Sequence, residues 1–183
     1  TPKPSSAASD VYKRQDQLIT PVDLPGLEET FNGDKVAATA ELMTRYFRTH
    51  GPATLRDFAW WAKLSQKLIR PAAENLAPDI VRCGEESQDL VSAEIVEIAE
   101  ARKKQSVLLL GAFDEYILGY QDRLFAMTNE VHEALVPGNR GVFRRAIVVD
   151  GQVRGTWNKQ DIEDLGMPGY AMRKVQKLWR DAH

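Results

Sequence analysis

The chain has 183 residues, 24 of them Lys or Arg and 26 Asp or Glu, and 43% are hydrophobic. That length suits one domain or two small ones, and the apolar share suffices for a packed core. The net charge of −2 excludes a global electrostatic pull toward nucleic acid, so any DNA contact must come from a local basic patch. Cys83 is the single cysteine, which excludes an internal disulfide framework and a Cys-based zinc cluster. His50, His132 and His183 are scattered, so no metal is expected. No apolar run reaches membrane-span length and no hydrophobic segment follows a basic start. No membrane partner is therefore expected, and a cytoplasmic setting fits. There is no P-loop and no Gly-rich dinucleotide fingerprint, so no cofactor is expected.

Residues 10–15 read Asp-Val-Tyr-Lys-Arg-Gln, which looks like the in-frame translation of a sequencing-library adapter. Pro, Ser and Ala dominate 1–9, so 1–15 are expected to be an adapter-derived or disordered tail. Residues 16–34 carry Pro21, Pro25, Gly26 and Gly33 without a sustained period and read as a linker. Val36, Ala40, Met43 and Phe47 recur at helical spacing and predict a first helix over 35–49, ended by His50-Gly51-Pro52. Thr54, with Asp57 three residues on, predicts a second helix opened by a capping box, with Leu55, Phe58, Ala59 and Ala62 inward. Trp60 and Trp61 cannot both face the core. One of them is expected to cover a neighbouring domain or sit half exposed, where stacking on a base is open to it. Ser65 opens a third helix striped by Leu68, Ile69, Ala72, Ala73 and Leu76, in which Pro71 demands a kink or a late start. Asp79–Cys83 and Asp89–Ser92 read as two short strands, joined by a turn that holds Glu85 and Glu86. Three helices followed by a β-hairpin is the order of a winged helix, a helix-turn-helix variant, here over 35–92.

A charged, helical connector follows over 93–106, ending in Arg102-Lys103-Lys104. Val107–Leu110 is an all-apolar run that fits a buried strand. Phe143–Trp157 reads as a hairpin closed by Asp150-Gly151, a dipeptide suited to a type I′ turn. That turn pairs Val148 with Val153 and Arg144 with Trp157 on one face. Arg145, Ile147, Val149 and Arg154 fall on the other, with the two arginines directed outward. Asp114 is expected to cap the short turn before Tyr116, and Asp122-Arg123 to form a local ion pair or surface contact. The chain closes with Met167-Pro168-Gly169 and a basic amphipathic segment around Arg173, Lys174, Lys177 and Arg180.

The run Val-Leu-Leu-Leu-Gly-Ala-Phe-Asp-Glu-Tyr-Ile-Leu-Gly-Tyr-Gln-Asp-Arg from Val107, then Pro-Gly-Asn-Arg-Gly-Val-Phe, then Val-Val-Asp-Gly-Gln-Val-Arg-Gly-Thr-Trp to Trp157, carries a family signal. It resembles the C-terminal part of a bacterial winged-helix DNA-binding family that includes DNA glycosylases of the AlkZ type. The segment Arg45–Ala62 matches the same family's winged helix. The resemblance implies an α+β fold: a winged helix followed by a small antiparallel β-barrel-like domain, here partial over 107–183. Residues 158–183 do not look like the family's usual ending, and a barrel short of strands would expose an edge.

The resemblance also implies a parent that excises alkylated bases or unhooks interstrand crosslinks, a hydrolase whose signature is Gln-x-Gln or Gln-x-Asp with an apolar middle residue near the N-terminus. Gln15-Asp16-Gln17 mimics it by letter only, because its middle residue is charged and it overlaps the adapter-like stretch. No catalytic residue is therefore assigned. The catalytic half is expected to be missing, the fragment itself to be inactive, and the winged helix to pack on absent N-terminal winged helices.

The candidate DNA-binding residues form two groups. Lys63, Gln66, Lys67 and Arg70 cluster at the start of the third helix, which in helix-turn-helix proteins enters the major groove of double-stranded DNA. Cations there neutralise phosphates and Gln reads adenine, while an ordinary solvated face explains them equally well. Asn139, Arg140, Arg144, Arg145 and Arg154 form the second group, for which phosphate contact and charge balance against Asp150, Asp161 and Glu163 stand equal. Asp114 and Glu115 make an acid pair, but adjacent residues point in different directions on a regular element, which speaks against joint catalysis. DNA as partner implies a nucleoid-associated location. The alternative is a non-catalytic winged-helix regulator or a protein-interaction module, the latter permitted by the acidic turn.

Overall fold

Residues 1–34 and 35–183 form two separate units, and the computed structural model describes residues 26–84, 89–101 and 106–181. The Gln15-Asp16-Gln17 triplet, the Glu85-Glu86 turn and Arg102-Lys103-Lys104 lie outside the described residues. In the first unit a single helix is described, α1 (Leu27–Phe31), with Thr30 donating to the Gly26 carbonyl through both its amide and its hydroxyl. Among the described residues no helix is long and apolar enough to cross a membrane.

The second unit opens with α2 (Lys35–His50), whose buried stripe includes Ala40, Met43 and Phe47 at the predicted spacing. α3 (Leu55–Ala62) begins with the capping box its sequence predicts: Thr54 Oγ1 accepts from the Asp57 amide, and the Asp57 carboxylate accepts from the Thr54 amide. α4 (Gln66–Ala72) starts after Ser65, which makes no side-chain cap bond. Pro71 neither kinks α4 midway nor starts it. It sits near the end, where the chain tightens into a 3₁₀ turn over Ala73–Asn75. Strands β1 (Ile80–Cys83) and β2 (Asp89–Ser92) then pair antiparallel in register Val81 to Val91. Ala53 and Leu90 exchange both backbone hydrogen bonds, at 3.1 and 2.8 Å, and so fasten the turn after α2 to β2. Arg48 reaches the Asp79 carboxylate through two nitrogens, each at 2.8 Å, and holds that carboxyl below its ordinary range.

Met43, Phe47, Phe58, Ile69 and Ala72 are fully buried and make the first core, with Leu55, Ala59 and Ala62 packed on it. Full burial of each large side chain contributes roughly 1.5–3 kcal/mol relative to exposure, so this cluster decides how the three helices meet. Trp60 and Trp61 are both partly exposed, at 41% and 36%.

After α5 (Ala93–Ala101) the chain enters an antiparallel sheet of order β3-β4-β5-β6, from β3 (Val107–Leu109), β4 (Arg145–Val149), β5 (Gln152–Trp157) and β6 (Ile162–Asp164). Short helices α6 (Glu115–Leu118) and α7 (Asn129–Leu135) lie between β3 and β4, and α8 (Gly169–Asp181) follows β6. Asp150 and Gly151 both have positive φ, 49° and 79°, as the tight β4–β5 turn requires. Val148 pairs with Val153 as expected. A register shift between Ile147 and Val148 then places Arg145, not Arg144, opposite Trp157. An extra residue in one strand cannot be read from the turn type alone, which is why simple counting fails there.

The outward face assigned to Ile147 and Val149 is also corrected. Both are buried, with Ala171 and Val175 of α8 lying across them. The opposite face, Ala146, Val148 and Val153, packs on Ile117, Met127, Val131 and Leu135. A strand covered on both faces needs no alternation, hence the run Ala-Ile-Val-Val. The sheet does not close among the described strands: β3 and β6 are its edges, and Leu108 on β3 is 53% exposed rather than buried.

Val175 is wholly buried between α8 and the sheet. A Val175→Asp substitution places an unpaired charge there and is expected to remove about 3 kcal/mol or more of stability. Denaturant unfolding followed by circular dichroism reads this directly, and an unchanged midpoint would show α8 to be dispensable to the sheet.

Candidate nucleic-acid interface

The segment Leu118–Gln121 is held against the helices by four side chains. Tyr46 Oη donates to the Gly119 carbonyl at 2.9 Å, and Trp60 Nε1 to the Leu118 carbonyl at 3.4 Å. Tyr120 Oη donates to the His50 carbonyl at 2.5 Å, and the Gln121 amide donates to Asp57 Oδ1 at 2.9 Å. Gly119 allows this approach, since a Cβ there would lie 2.8 Å from His50 Cδ2 and 2.8 Å from the Glu115 carbonyl oxygen. Burial, with nearby Asp57, raises the Tyr46 hydroxyl pKa well above its ordinary value, and burial with nearby Tyr116 and Asp57 pushes Tyr120 up to about 12.

This joint opens a groove of about 970 Å³ between the start of α3, α4, β1 and the Gln121-Asp122 turn. Arg56, Gln66, Arg70 and Arg82 line it, with Thr54, Leu55, Asp57, Gln121 and Asp122. Asp57 is buried and engaged with Thr54 and Gln121, so its charge is directed into the protein. Asp122 accepts from the Leu124 amide rather than pairing with Arg123, whose Nε donates to the Ile117 carbonyl.

Of the first predicted group, Gln66 and Arg70 reach this groove, while Lys63 and Lys67 do not line it. Lys63 is the left-handed C-cap of α3, φ 55°, and its ammonium lies 3.3 Å from the Trp60 ring centroid. Lys67 is exposed. Sequence reading missed Arg56 and Arg82. Arg56 lies off the inward stripe of Leu55, Phe58 and Ala59, a detectable signal, whereas Arg82 joins the groove only through the β1–β2 pairing.

The second predicted group is dispersed. Asn139 and Arg140 lie at an exposed turn, with Asn139 at φ 49°. Arg144 pairs with Glu163 at 3.2 Å, which is the charge balance the sequence allowed. Arg145 stacks over Trp157 at 4.8 Å. Arg154 lines a different cavity, of about 400 Å³, with Asp150, Gln152 and Met167. The acid pair separates as expected: Asp114 caps α6 by accepting from the Tyr116 amide, and Glu115 lies 3.6 Å from His50 Nε2.

A mixed helix-and-sheet chain of this kind belongs to a known class. The family described as DNA glycosylase AlkZ-like matches residues 2–163, and the chain belongs to that family. The match runs through the adapter-like stretch at 10–15 and stops before α8. An interstrand DNA cross-link repair glycosylase of Streptomyces sahachiroi is 26% identical over 140 residues, 74% of this chain and 37% of that protein. The solved structure of Streptomyces sahachiroi DNA glycosylase AlkZ has the same fold over 76% of this chain and 41% of that one, with a TM-score of 0.62 and 24% identity. The chain thus spans well under half the length of these relatives.

Two outcomes test the joint. Asp57→Ala leaves the Thr54 and Gln121 amides without their acceptor and is expected to cost about 2–4 kcal/mol, measured by thermal or urea unfolding. Tyr120 loses its proton at higher pH in the folded chain than in the unfolded one, whose ordinary value is 10.0. Its contribution is therefore complete below pH 10 and lost as pH rises toward about 12. Unfolding midpoints across that window should fall more steeply in the wild type than in Tyr120→Phe. Parallel curves would exclude the role.

Proposed function

We propose that this chain is the DNA-docking part of a DNA glycosylase. In this reading residues 35–92 act as a winged helix, 93–106 connect it, and 107–183 form the supporting β-rich domain. The groove is the observation that carries it: Arg56, Gln66, Arg70 and Arg82 converge beside the helix that a helix-turn-helix protein lays in the major groove of double-stranded DNA. Neither Arg56 nor Arg70 has an ion pair among the described residues, so both keep their charge for phosphates. A local basic groove is what a chain of net charge −2 requires for such contact.

The family supports a substrate of damaged DNA, and the relative's activity, interstrand cross-link repair, supports a parent that acts on crosslinked bases. Hydrolysis of the glycosidic bond is assigned to the part of the relatives' length that this chain does not span. The groove then holds the duplex while the glycosidic bond is cut elsewhere. Lys67 and the turn bearing Asn139 and Arg140 extend the contact as outlying phosphate ligands. Arg144, Arg145 and Arg154 serve the sheet first.

Binding of a duplex oligonucleotide by fluorescence anisotropy, repeated over a salt series, tests this. The affinity is expected to fall steeply with salt. Arg70→Ala and Arg56→Ala should each weaken binding severalfold and lower the salt slope by about 1. Arg144→Ala, which breaks a protein ion pair, should leave the slope unchanged. Salt-insensitive binding, or none, would instead favour a protein-interaction module.

A further inference from the structure

Beside the groove lies a strip of alternating cations and rings, anchored by Phe143, which packs against the core on the Val148 face of the sheet. Lys63 Nζ sits 3.3 Å from the Trp60 ring centroid, and Arg123 Cζ lies 5.9 Å from that centroid and 5.2 Å from the Phe143 ring. Phe143 in turn tilts against Phe113 at 5.7 Å. Trp60 is 41% exposed and Phe113 48%, and Val142 next to Phe143 is 62% exposed. The strip adjoins the groove along the chain, since Gln121 and Asp122 line the one and Arg123 belongs to the other.

Phe113 is the unexpected member. Its φ of 61° is in the left-handed region, where a bulky L side chain is strained. A strained backbone normally persists because the surrounding packing demands it. Here the strain presents a ring that is about half in solvent, so core packing does not account for it. The ring faces and the cations together match one chemistry: a nucleobase stacks on aromatic rings regardless of its identity, and its flanking phosphates pair with Lys and Arg. An apolar protein partner would use the rings and leave Lys63 and Arg123 without counter-charge. Bases inside an intact duplex offer no open face to such a strip.

We propose that the Lys63–Trp60–Arg123–Phe143–Phe113 strip binds an unpaired DNA base, stacked on the open rings, with Lys63 and Arg123 on the phosphates beside it. The inference rests on the DNA-docking reading and adds where an extrahelical base goes. It gives the chain a preference for distorted over intact duplex that the groove alone does not supply.

The test uses the whole chain and two duplexes of one sequence, fully paired or carrying a single bulged 2-aminopurine. The bulged duplex is expected to bind about tenfold tighter, with its 2-aminopurine fluorescence quenched on binding. Phe113→Ala should abolish most of that preference while leaving affinity for the paired duplex unchanged, and Phe113→Tyr, which keeps the ring, should restore it. Equal binding of both duplexes, unaffected by Phe113→Ala, overturns the strip and leaves the groove reading standing. Binding of neither duplex overturns both. Self-association of the chain that Phe113→Ala abolishes, with no preference between duplexes, assigns the strip to a second copy and overturns the proposal.

Discussion

The carboxylate of Asp57 is the constraint on which the groove and its surroundings depend. One oxygen closes the capping box of α3, accepting from the Thr54 amide and hydroxyl, and the other accepts from the Gln121 amide 64 residues along the chain. A single buried ion thus fixes two walls of the groove relative to each other. Such a charge is tolerable in a buried position because both oxygens meet donors and a helix N-terminus favours it. Tyr46 and Tyr120 extend the joint, Tyr46 by reaching the Gly119 carbonyl and Tyr120 by reaching the His50 carbonyl at the end of α2, and the rings of His50 and Trp61 pack beside Tyr46. The helical part and the segment between β3 and β4 therefore share one set of hydrogen bonds rather than touching through a loose linker.

The sheet meets a different problem, that of hiding two apolar faces. Its β4 run buries alternate residues against α7 and its neighbours on one side and against α8 on the other. That second cover arises outside the part matched by the family, yet Ala171 and Val175 are as buried as any residue of the sheet. The basic residues Arg173, Lys174, Lys177 and Arg180 lie on the exposed side of the same helix, so the amphipathic pattern of this segment has a structural explanation in the sheet beneath it. With β3 and β6 left as edges, this helix supplies the layer that a closed sheet would not need.

Much of this was legible in the sequence wherever a local rule dominates. The Thr54–Asp57 box, the α2 stripe, the cap at Asp114 and the Asp150-Gly151 turn all depend on residues within a few positions of one another. The failures are equally physical. The β-bulge beyond Val148 shifts Arg145 onto Trp157, and no turn chemistry announces it. Ile147 and Val149 look like an outer face only while α8 is unaccounted for. At the site, helical spacing brought Gln66 and Arg70 into view, but Arg82 joins them through strand pairing and Gln121 through the Asp57 bond. A site assembled across 64 residues leaves little trace in a linear pattern. Sequence proximity also grouped Arg144, Arg145 and Arg154, which the folded chain gives to a carboxylate, a ring and a separate cavity.

What separates a cation that holds the protein together from one that is ready for phosphate is its partner inside the fold. Arg48 is held by Asp79 and Arg144 by Glu163. Arg56 and Arg70 have no such counter-ion among the described residues, although acidic side chains outnumber basic ones in the chain as a whole. Because screening confines an exposed charge to within about 10 Å at moderate salt, distant carboxylates do little to cancel two arginines in one groove. Local charge, rather than net charge, therefore sets where a polyanion would meet this surface, and the packing of α3 on α4 through Phe58 and Ile69 decides that Arg56 and Arg70 share it.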